Sequence, residues 1–227
     1  MIKGRIGAEI ECYFQDSKFS EVKELVLNNH WKIESDGSIH SPDSGDWIEK
    51  EIKFDYSISE INTMFEKVKE LFELVEVNDS CGLHFHVSFE DSTYYFKLCK
   101  YDFIKYFQEI IDKAFKTPKE RKRINYHYCQ FYKNEGDFLT SVSNQINSYN
   151  KDGSRQHSVN FNSFNIHNTI EFRIFASTNS IRKFKSYTNL LLKSLSKYIK
   201  TQKEIKFDFS ANVQSARKQA VFREVID

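Results

Sequence analysis

The sequence contains little proline and glycine: only 2 Pro and 7 Gly occur among its 227 residues. Because these two residues are the commonest turn formers, long helices and strands with few sharp turns are expected. The formal net charge is only +1 at pH 7, so the chain lacks the strong basic field that attracts nucleic acid. Nucleic acid is therefore a disfavoured partner.

Paired cysteines and long apolar runs are also missing. The four cysteines lie far apart, at Cys12, Cys81, Cys99 and Cys129. None forms a CxxC pair or a zinc-ribbon spacing. The apolar stretches are much shorter than a membrane span, and Lys3 and Arg5 lead directly into an alternating segment that does not resemble a signal peptide. These features predict a reduced, cytoplasmic protein with no membrane partner.

The composition is that of a folded domain. Apolar residues make up 40% and aromatic residues 15% of the chain, which argues against disorder. A chain of this length can bury a sizeable core as one domain. We therefore predict a single domain over residues 1–227, with a peripheral segment at about residues 205–227.

Alternation and helical spacing divide the chain into strands and helices. The predicted strands are Gly4–Phe14, Trp31–Ile33, Ser38–His40, Trp47–Phe54, Leu83–Phe89, Ser158–Asn165 and Thr169–Ala176. The predicted helices are Ser20–Asn29, Ser59–Val75, Tyr94–Phe115 and Ser180–Lys200. The last two strands predict a hairpin joined across His167-Asn168, and Asn144–Ser154 predicts a loop. This succession predicts an α+β fold, with a largely antiparallel sheet and helices packed on one face.

Four predicted strands each carry two charged or ligating residues at positions i and i+2. These pairs are Glu9 with Glu11, Glu49 with Glu51, His84 with His86, and Glu171 with Arg173. Residues at this spacing share one side of a strand, and the flanking residues on the other side are mainly apolar. For any single pair, the solvated face of an antiparallel sheet is the simpler interpretation.

Taken together, the four pairs favour a metal site. Carboxylate and imidazole groups are ligands of divalent cations, and three carboxylate-bearing strands on one face would repel one another unless cations were present. The His84-x-His86 pair alone is weak evidence, because zinc would require a third His or Cys nearby. Gly82, at the entrance of that strand, suggests that the backbone passes closely beneath something bound.

Several short motifs follow one another along the chain. They are Gly7-Ala8-Glu9-Ile10-Glu11, Asp36-Gly37-Ser38, Glu51-Ile52, Ser80 to Val87, Arg123-Ile124-Asn125 with Tyr128-Cys129, Arg155 to Asn160, and Thr169 to Arg173. In content and order they resemble the amidoligase family of carboxylate–amine ligases over residues 4–195. The resemblance implies a glutamine-synthetase-like catalytic domain. The sequence has no Gly-rich P-loop, as expected for such a fold.

The resemblance implies ATP-dependent ligation of a carboxylate to an amine through an acyl phosphate, with ATP and Mg²⁺ or Mn²⁺ as cofactors. The implied metal ligands are Glu9, Glu11, Glu51, His86 and Glu171. The implied catalytic residues are Glu9, Glu51, Arg123 and Arg173, and the implied nucleotide contacts are His84, Arg155 and Arg173. Arg173 is thereby assigned to a phosphate group and not to a salt bridge with Glu171.

The sequence leaves several points open. The substrates are a small-molecule or peptide carboxylate and an amine: a free amino acid, a peptide or protein tail, a cell-wall fragment or a modified nucleotide all agree with it. Arg123 could equally be a surface charge, and Asp36 in its Asp-Gly turn is interpreted as structural. A metal-dependent hydrolase using the same carboxylates and His86, or a non-catalytic binding protein, are the alternative functions. The oligomeric state is open.

Overall fold

A computed structural model of the protein describes residues 2–124, 126, 129–147 and 156–202. Its strands are β1 Gly4–Gln15, β2 Lys32–Glu34, β3 Trp47–Ser57, β4 Gly82–Phe89, β5 Val159–Asn160 and β6 Ile170–Ala176. Its α-helices are α1 Phe19–Asn28, α2 Ile61–Phe72, α3 Thr93–Leu98, α4 Tyr101–Ala114, α5 Pro118–Ile124, α6 Glu135–Asn147, α7 Asn162–His167 and α8 Ile181–Thr201. Arg155 and the predicted peripheral segment at 205–227 lie outside the described residues.

The named strands form one six-stranded sheet in the order β2-β3-β1-β4-β6-β5. Every neighbouring pair is antiparallel, which confirms the predicted α+β class and the predicted strand direction. The long strand β1 lies in the interior of the sheet, between β3 and β4. Its register therefore decides which residues of those two strands lie beside its own.

The two faces of the sheet differ in chemistry because side chains alternate along each strand. On one face, β1 contributes Ile6, Ala8 and Ile10 to a core covered mainly by α2, α4 and α8. Phe184 of α8 lies at the centre of this core, with its ring centroid 5.6 Å from that of Phe85. None of the helices in the described part of the chain is long and apolar enough to cross a membrane.

The helices do not all lie on the apolar face, which corrects the prediction. Arg123 of α5 reaches the polar face, where it would meet a Cβ placed on Gly82. Ser163 of α7 lies 3.2 Å from the ring of His86 on the same face. These two short helices therefore form walls around the polar face, and this arrangement depends on chain path and not on periodicity.

The predicted single helix Tyr94–Phe115 is two helices, α3 and α4. Lys100 between them has extended backbone, with φ −139° and ψ 145°. The Tyr95 hydroxyl of α3 accepts from Phe89 N and donates to Asn168 O, whereas Phe107 of α4 packs on β6 with its ring 5.2 Å from Phe172. The two halves are thus tied to different neighbours, which the continuous apolar spacing did not reveal.

Two predicted strands are also wrong. In the first, Ser38–His40, the structure has a turn, because Asp36 Oδ1 accepts the Ser38 amide and His40 N donates to Ser80 Oγ. In the second, Ser158–Asn165, only β5 is a strand and α7 follows it. Asn160 Oδ1 accepts the Asn162 amide at 3.0 Å, which turns the chain out of the sheet. The predicted pairing with β6 is nevertheless confirmed over β5.

Helix α6 was not predicted, and residues 144–147 of the predicted loop belong to it. Its first turn is polar and is held by side-chain caps. Asn134 Oδ1 accepts the Asp137 amide, and Asp137 Oδ2 accepts the Lys133 amide. This reciprocal capping stabilises a helix whose described side chains include two large, buried apolar residues, Phe138 and Val142.

Candidate active site

The strand register brings the predicted pairs together on the polar face. Glu9 of β1 lies directly across from His84 of β4, and Glu11 lies across from Glu51 of β3. Directly opposite side chains in an antiparallel pair have Cβ atoms about 5 Å apart. Ligating groups that are distant in the sequence are therefore neighbours across these three strands.

The same face continues onto β6 and β5. His86 of β4 lies across from Glu171 of β6, and Glu171 lies across from Asn160 of β5. Asn160 Nδ2 donates to Glu171 Oε2 at 2.6 Å. A continuous polar surface thus runs over five of the six strands, from β3 to β5.

A cavity of about 680 Å³ covers this surface. Its carboxylates are Glu9, Glu11, Asp36, Glu51 and Glu171, and its permanently charged cations are Lys53, Arg123 and Arg173. The two imidazoles predicted for the site, His84 and His86, also line it. All the predicted site residues within the described chain therefore share one cavity, whose size is that of a small-molecule or cofactor site.

Three groups of residues in this cavity could each hold a metal ion, because their ligand atoms lie within 4.8 Å of one another. They are Glu9 with Glu51 and His84, Glu9 with His86 and Glu171, and Glu11 with Asp36 and Glu51. Glu9 and Glu51 each belong to two groups. All three groups are rich in carboxylates, two include an imidazole and none includes a cysteine. Carboxylate-rich sets suit Mg²⁺ or Mn²⁺, whereas structural zinc sites are usually rich in cysteine. The residues therefore fit the metals that the sequence predicts.

His84 lies among the carboxylates. Its Nδ1 is 3.3 Å from Glu9 Oε2 and 3.6 Å from Glu171 Oε1, and its Nε2 is 3.4 Å from Glu11 Oε1. The side chain is only 5% exposed. Its surroundings thus suit a metal ligand, a role that the sequence did not predict for His84; the nucleotide contact expected from the sequence stays a prediction.

His86 has a different environment on each ring nitrogen. Nδ1 lies 3.2 Å from both Ser163 Oγ and Thr169 Oγ1. Nε2 lies 3.2 Å from Glu9 Oε1 but outside hydrogen-bonding geometry, and this buried nitrogen has no hydrogen bond within the described part of the chain. Burial lowers the pKa of His86, but the nearby Glu9 and Glu171 carboxylates outweigh it and raise this pKa above the ordinary value.

The pKa values of two neighbouring carboxylates, Glu9 and Glu51, shift in opposite directions. Burial raises the pKa of Glu9, but His84 and His86 outweigh it and hold this pKa well below the ordinary range. Burial, followed by the charge of Glu9, raises the pKa of Glu51 to about 8 although Lys53 opposes the shift. Repulsion among the carboxylates therefore contributes mainly to the raised pKa of Glu51, and a bound cation would relieve this repulsion.

Arg173 is paired with Glu171, contrary to the expectation that these two residues form no salt bridge. Its Nη1 lies 2.5 Å from Glu171 Oε1. Glu171 is only 2% exposed, and a carboxylate this deeply buried requires a charged or hydrogen-bonding partner. Burial raises the pKa of Glu171, but Arg173, His86 and His84 outweigh it and lower this pKa.

Arg123 is buried, at 5% exposure, so the alternative of a surface charge is wrong. Its Nη2 donates to Arg173 O at 3.0 Å, and its guanidinium carbon lies 5.3 Å from the Tyr126 ring centroid. Among the residues that the structure describes, none is a hydrogen-bond partner of its buried Nε. A Cβ on Gly82 would lie 2.8 Å from Arg123 Nη2 and 3.0 Å from His84 Nε2. The close approach expected at Gly82 is thus made by side chains of the protein itself.

The residues that line the cavity but were not predicted as site residues include three that contact or adjoin its carboxylates. Lys53 follows Glu51 at i+2 on the same face of β3, Asp36 belongs to the Asp-Gly turn interpreted as structural, and Asn160 lies in the Val-Asn motif. The i+2 rule could have found Lys53. Asp36 could not be assigned from its own sequence neighbourhood, because its proximity to Glu11 and Glu51 depends on how its loop crosses the sheet.

Neither the curated proteins nor the solved structures include a significant match to this chain. A family model described as "Putative amidoligase enzyme" matches residues 2–195. That range includes all six strands and every cavity residue named above. The chain therefore belongs to this amidoligase family.

Proposed function

We propose that this protein is an ATP-dependent carboxylate–amine ligase with a glutamine-synthetase-like catalytic domain, acting with Mg²⁺ or Mn²⁺. The observation that carries the proposal is the presence, in one cavity, of three overlapping candidate metal groups together with the buried Arg123 and the partly buried Arg173. Family membership points to a ligase in general, and this combination points to phosphoryl transfer as the means of activation.

The chemistry requires a two-stage reaction, because a free carboxylate is a poor acceptor for an amine. In the first stage a carboxylate oxygen of the substrate attacks the γ-phosphorus of ATP, which forms an acyl phosphate and releases ADP. In the second stage the amine nitrogen attacks the acyl carbon, inorganic phosphate leaves, and the nitrogen loses a proton. The net products are an amide, ADP and phosphate.

The carboxylates and imidazoles of the cavity hold the metal ions in this proposal. The proposed ligands are Glu9, Glu11, Asp36, Glu51, His84, His86 and Glu171. Bound divalent ions neutralise phosphate oxygens and stabilise the charge of the transferred phosphoryl group. Glu9 and Glu51, which are shared between groups, would be the residues whose loss affects more than one ion.

The two arginines supply anion-binding groups beside the acidic cluster. The Arg123 guanidinium is held by Arg173 O and by the Tyr126 ring, and that of Arg173 is held by Glu171. Both are therefore preorganised, which favours recognition of a phosphate or of the substrate carboxylate. Asn160 orients Glu171 from the opposite side.

Nucleotide binding and acyl-phosphate trapping test this proposal. We expect the protein with Mg²⁺ to bind a non-hydrolysable ATP analogue in calorimetry. With ATP, hydroxylamine and a panel of amino acids and peptides, we expect a hydroxamate to form with stoichiometric ADP. E9Q and E171Q should each reduce the rate by at least about 100-fold, while E24Q, on the exposed surface of α1, should behave as wild type. Absence of nucleotide binding, together with unchanged E9Q and E171Q variants, would refute the proposal.

A metal-dependent hydrolase is the second candidate, because His86, Glu9 and Glu171 form one of the three groups. Two carboxylates and one imidazole can also hold an ion that activates water. Detection of bound zinc by anomalous scattering, in a protein that has no affinity for nucleotide, would favour this candidate. A non-catalytic binding protein is less well supported, because it gives no role to the clustered carboxylates.

A further inference from the structure

Lys53 extends from β3 into the acidic part of the cavity. Its Nζ lies 2.7 Å from Glu51 Oε2 and 3.5 Å from Glu9 Oε1. It also lies 3.0 Å from Glu34 Oε2. The Lys53 side chain is 28% exposed. One ammonium group therefore contacts three carboxylates at the open side of the cluster.

Two of the three carboxylates that this ammonium contacts each belong to more than one candidate metal group. Glu9 and Glu51 are the residues shared between the candidate metal groups. Five acidic side chains and three permanent cations line the cavity. When all five carboxylates are ionised, the excess is two negative charges, and it rises to three when the ammonium of Lys53 withdraws. Lys53 thus compensates, from within the protein, charge that a divalent ion would otherwise compensate.

A second position for the Lys53 ammonium is already present. Glu34 lies on β2 at the edge of the sheet, directly across from Glu51, and its side chain is 52% exposed. A lysine side chain has a flexible four-carbon stem. It can therefore keep its contact with Glu34 at the rim while it leaves Glu51 and Glu9.

We propose that Lys53 is a tethered counter-ion, which competes with divalent cations for Glu9 and Glu51 and moves towards Glu34 when they bind. This inference rests on the proposed function, because the ions concerned are those that the ligase would use. Lys53 is a positioning residue here: it stabilises the carboxylate cluster before the ions arrive and lowers its affinity for them.

Titration with Mn²⁺ alone tests the competition without any catalytic assay. Free Mn²⁺ is measured by electron paramagnetic resonance at constant ionic strength, for wild type, K53M and K32M. Lys32 lies directly across from Lys53 on β2 and is exposed, so K32M makes the same charge change without removing the contacts to Glu9 and Glu51. We expect K53M to bind Mn²⁺ about tenfold more tightly, and K32M to bind within about twofold of wild type.

Substitution of Glu34 provides a second, independent test. E34Q should weaken Mn²⁺ binding in the wild-type background, because the displaced ammonium loses its second partner. The same substitution should have little effect in the K53M background, whereas a direct metal ligand would matter in both. K53A replaces K53M if the methionine variant fails to give the far-ultraviolet circular dichroism of the folded protein.

The outcomes separate this inference from the proposed function. Equal or weaker Mn²⁺ binding by K53M, an equal gain in K32M, or no Mn²⁺ binding by any variant would overturn the inference. Failure of the ligase proposal would appear in another experiment, as absence of nucleotide binding and of hydroxamate. Tighter Mn²⁺ binding by K53M alone would support the competition even if the reaction proved to be hydrolysis.

Discussion

At the scale of single residues, the acidic face is stabilised by an imidazole and by cationic side chains placed between the carboxylates. His84 contacts carboxylates with both ring nitrogens, Lys53 contacts Glu9 and Glu51, and Arg173 pairs with Glu171. Removing one member of such a cluster leaves its buried partners uncompensated, which is more destabilising than the net contribution of the pair suggests.

Glu51 leads to a pH-dependent prediction. Its pKa is raised from 4.5 to about 8, so the folded state favours the neutral carboxyl. The resulting stabilisation is complete below about pH 4.5 and is lost as the pH rises through about 8. We expect the free energy of unfolding of wild type in EDTA to fall by about 4 kcal/mol relative to E51Q between pH 5 and 9, at about 1.4 kcal/mol per pH unit up to the raised pKa. Urea unfolding at each pH measures this difference.

The comparison with E51Q isolates Glu51 from other groups. The raised pKa of His86 also removes stability as the pH rises, but that contribution is common to both proteins. Parallel curves of unfolding free energy against pH for wild type and E51Q would contradict the prediction.

Gly82 leads to a second prediction at this scale. An alanine Cβ there would lie 2.8 Å from Arg123 Nη2, 3.0 Å from His84 Nε2 and 3.1 Å from Glu11 Oε1. All three atoms belong to movable side chains, so we expect G82A to fold, with a loss of stability of about 1 kcal/mol. Displacement of His84 and Glu11 should weaken Mn²⁺ binding by about tenfold. The same titration on G37A provides the control, since a Cβ on Gly37 meets nothing within 4 Å; equal affinities would contradict the prediction.

At the scale of secondary-structure elements, the position of α5 depends on a buried carboxylate near its start. Glu120 Oε2 accepts from the amides of Lys116 and Thr117, and Oε1 accepts from the Tyr187 hydroxyl of α8 at 2.9 Å. Lys183 of α8 also contacts Oε1. Helix α5 is thus joined to α8 at one end and delivers Arg123 to the cavity at the other.

We therefore predict that E120Q destabilises the protein by about 2–3 kcal/mol at pH 7, because a buried charged network loses its acceptor charge. Burial raises the pKa of Glu120, but Lys183 and the hydrogen bonds of Thr117 and Lys116 outweigh it and lower this pKa to about 2. The stabilisation is therefore present above about pH 4.5 and is lost as the pH falls towards 2. Chemical unfolding at pH 7 and pH 3 should show a smaller E120Q effect at pH 3.

The exposed E24Q variant is the matched control for this measurement, with an expected change within about 0.5 kcal/mol. An E120Q effect of similar size at both pH values would show that the hydrogen bonds alone, and not the charge, stabilise the start of α5.

Element boundaries were predictable only where one local signal was sufficient. The long strands and α8 have clear periodicity and were predicted within a few residues. The break between α3 and α4 was missed, because the same apolar spacing continues across Lys100. Helix α7 was taken for a strand, because a six-residue helix contains too few turns to show a helical period.

At the scale of the whole molecule, metal binding should be coupled to folding, since the unfolded chain does not hold the carboxylates together. An ion present at 100 times its dissociation constant adds about 2.7 kcal/mol of stability. For a chain of this length we expect Mn²⁺ to raise Tm by roughly 5–10 °C. Differential scanning calorimetry with Mn²⁺, and then with excess EDTA, measures the shift.

The E9Q variant serves as the control for this shift, because Glu9 is shared by two candidate metal groups. We expect its Tm to rise by less than half as much as that of wild type at the same Mn²⁺ concentration. An equal rise in both proteins would place the stabilising ion elsewhere on the molecule.

The sequence by itself determined which residues share a side of each strand. Period-two alternation placed Glu9 with Glu11 and His84 with His86, and the succession of motifs indicated the family that the matching family model confirms. Alternation is a property of neighbouring residues, so it can be recognised in the sequence before the fold is known.

Only the tertiary structure decided how these sides meet. Register placed Glu9 across from His84 and from Lys53, a loop brought Asp36 to Glu51, and burial paired Arg173 with Glu171. The physical reason is that distances between strands depend on the order and register of segments far apart in the chain. Local periodicity therefore predicted which carboxylate and imidazole side chains share a face, whereas long-range pairing decided which cationic side chains they contact.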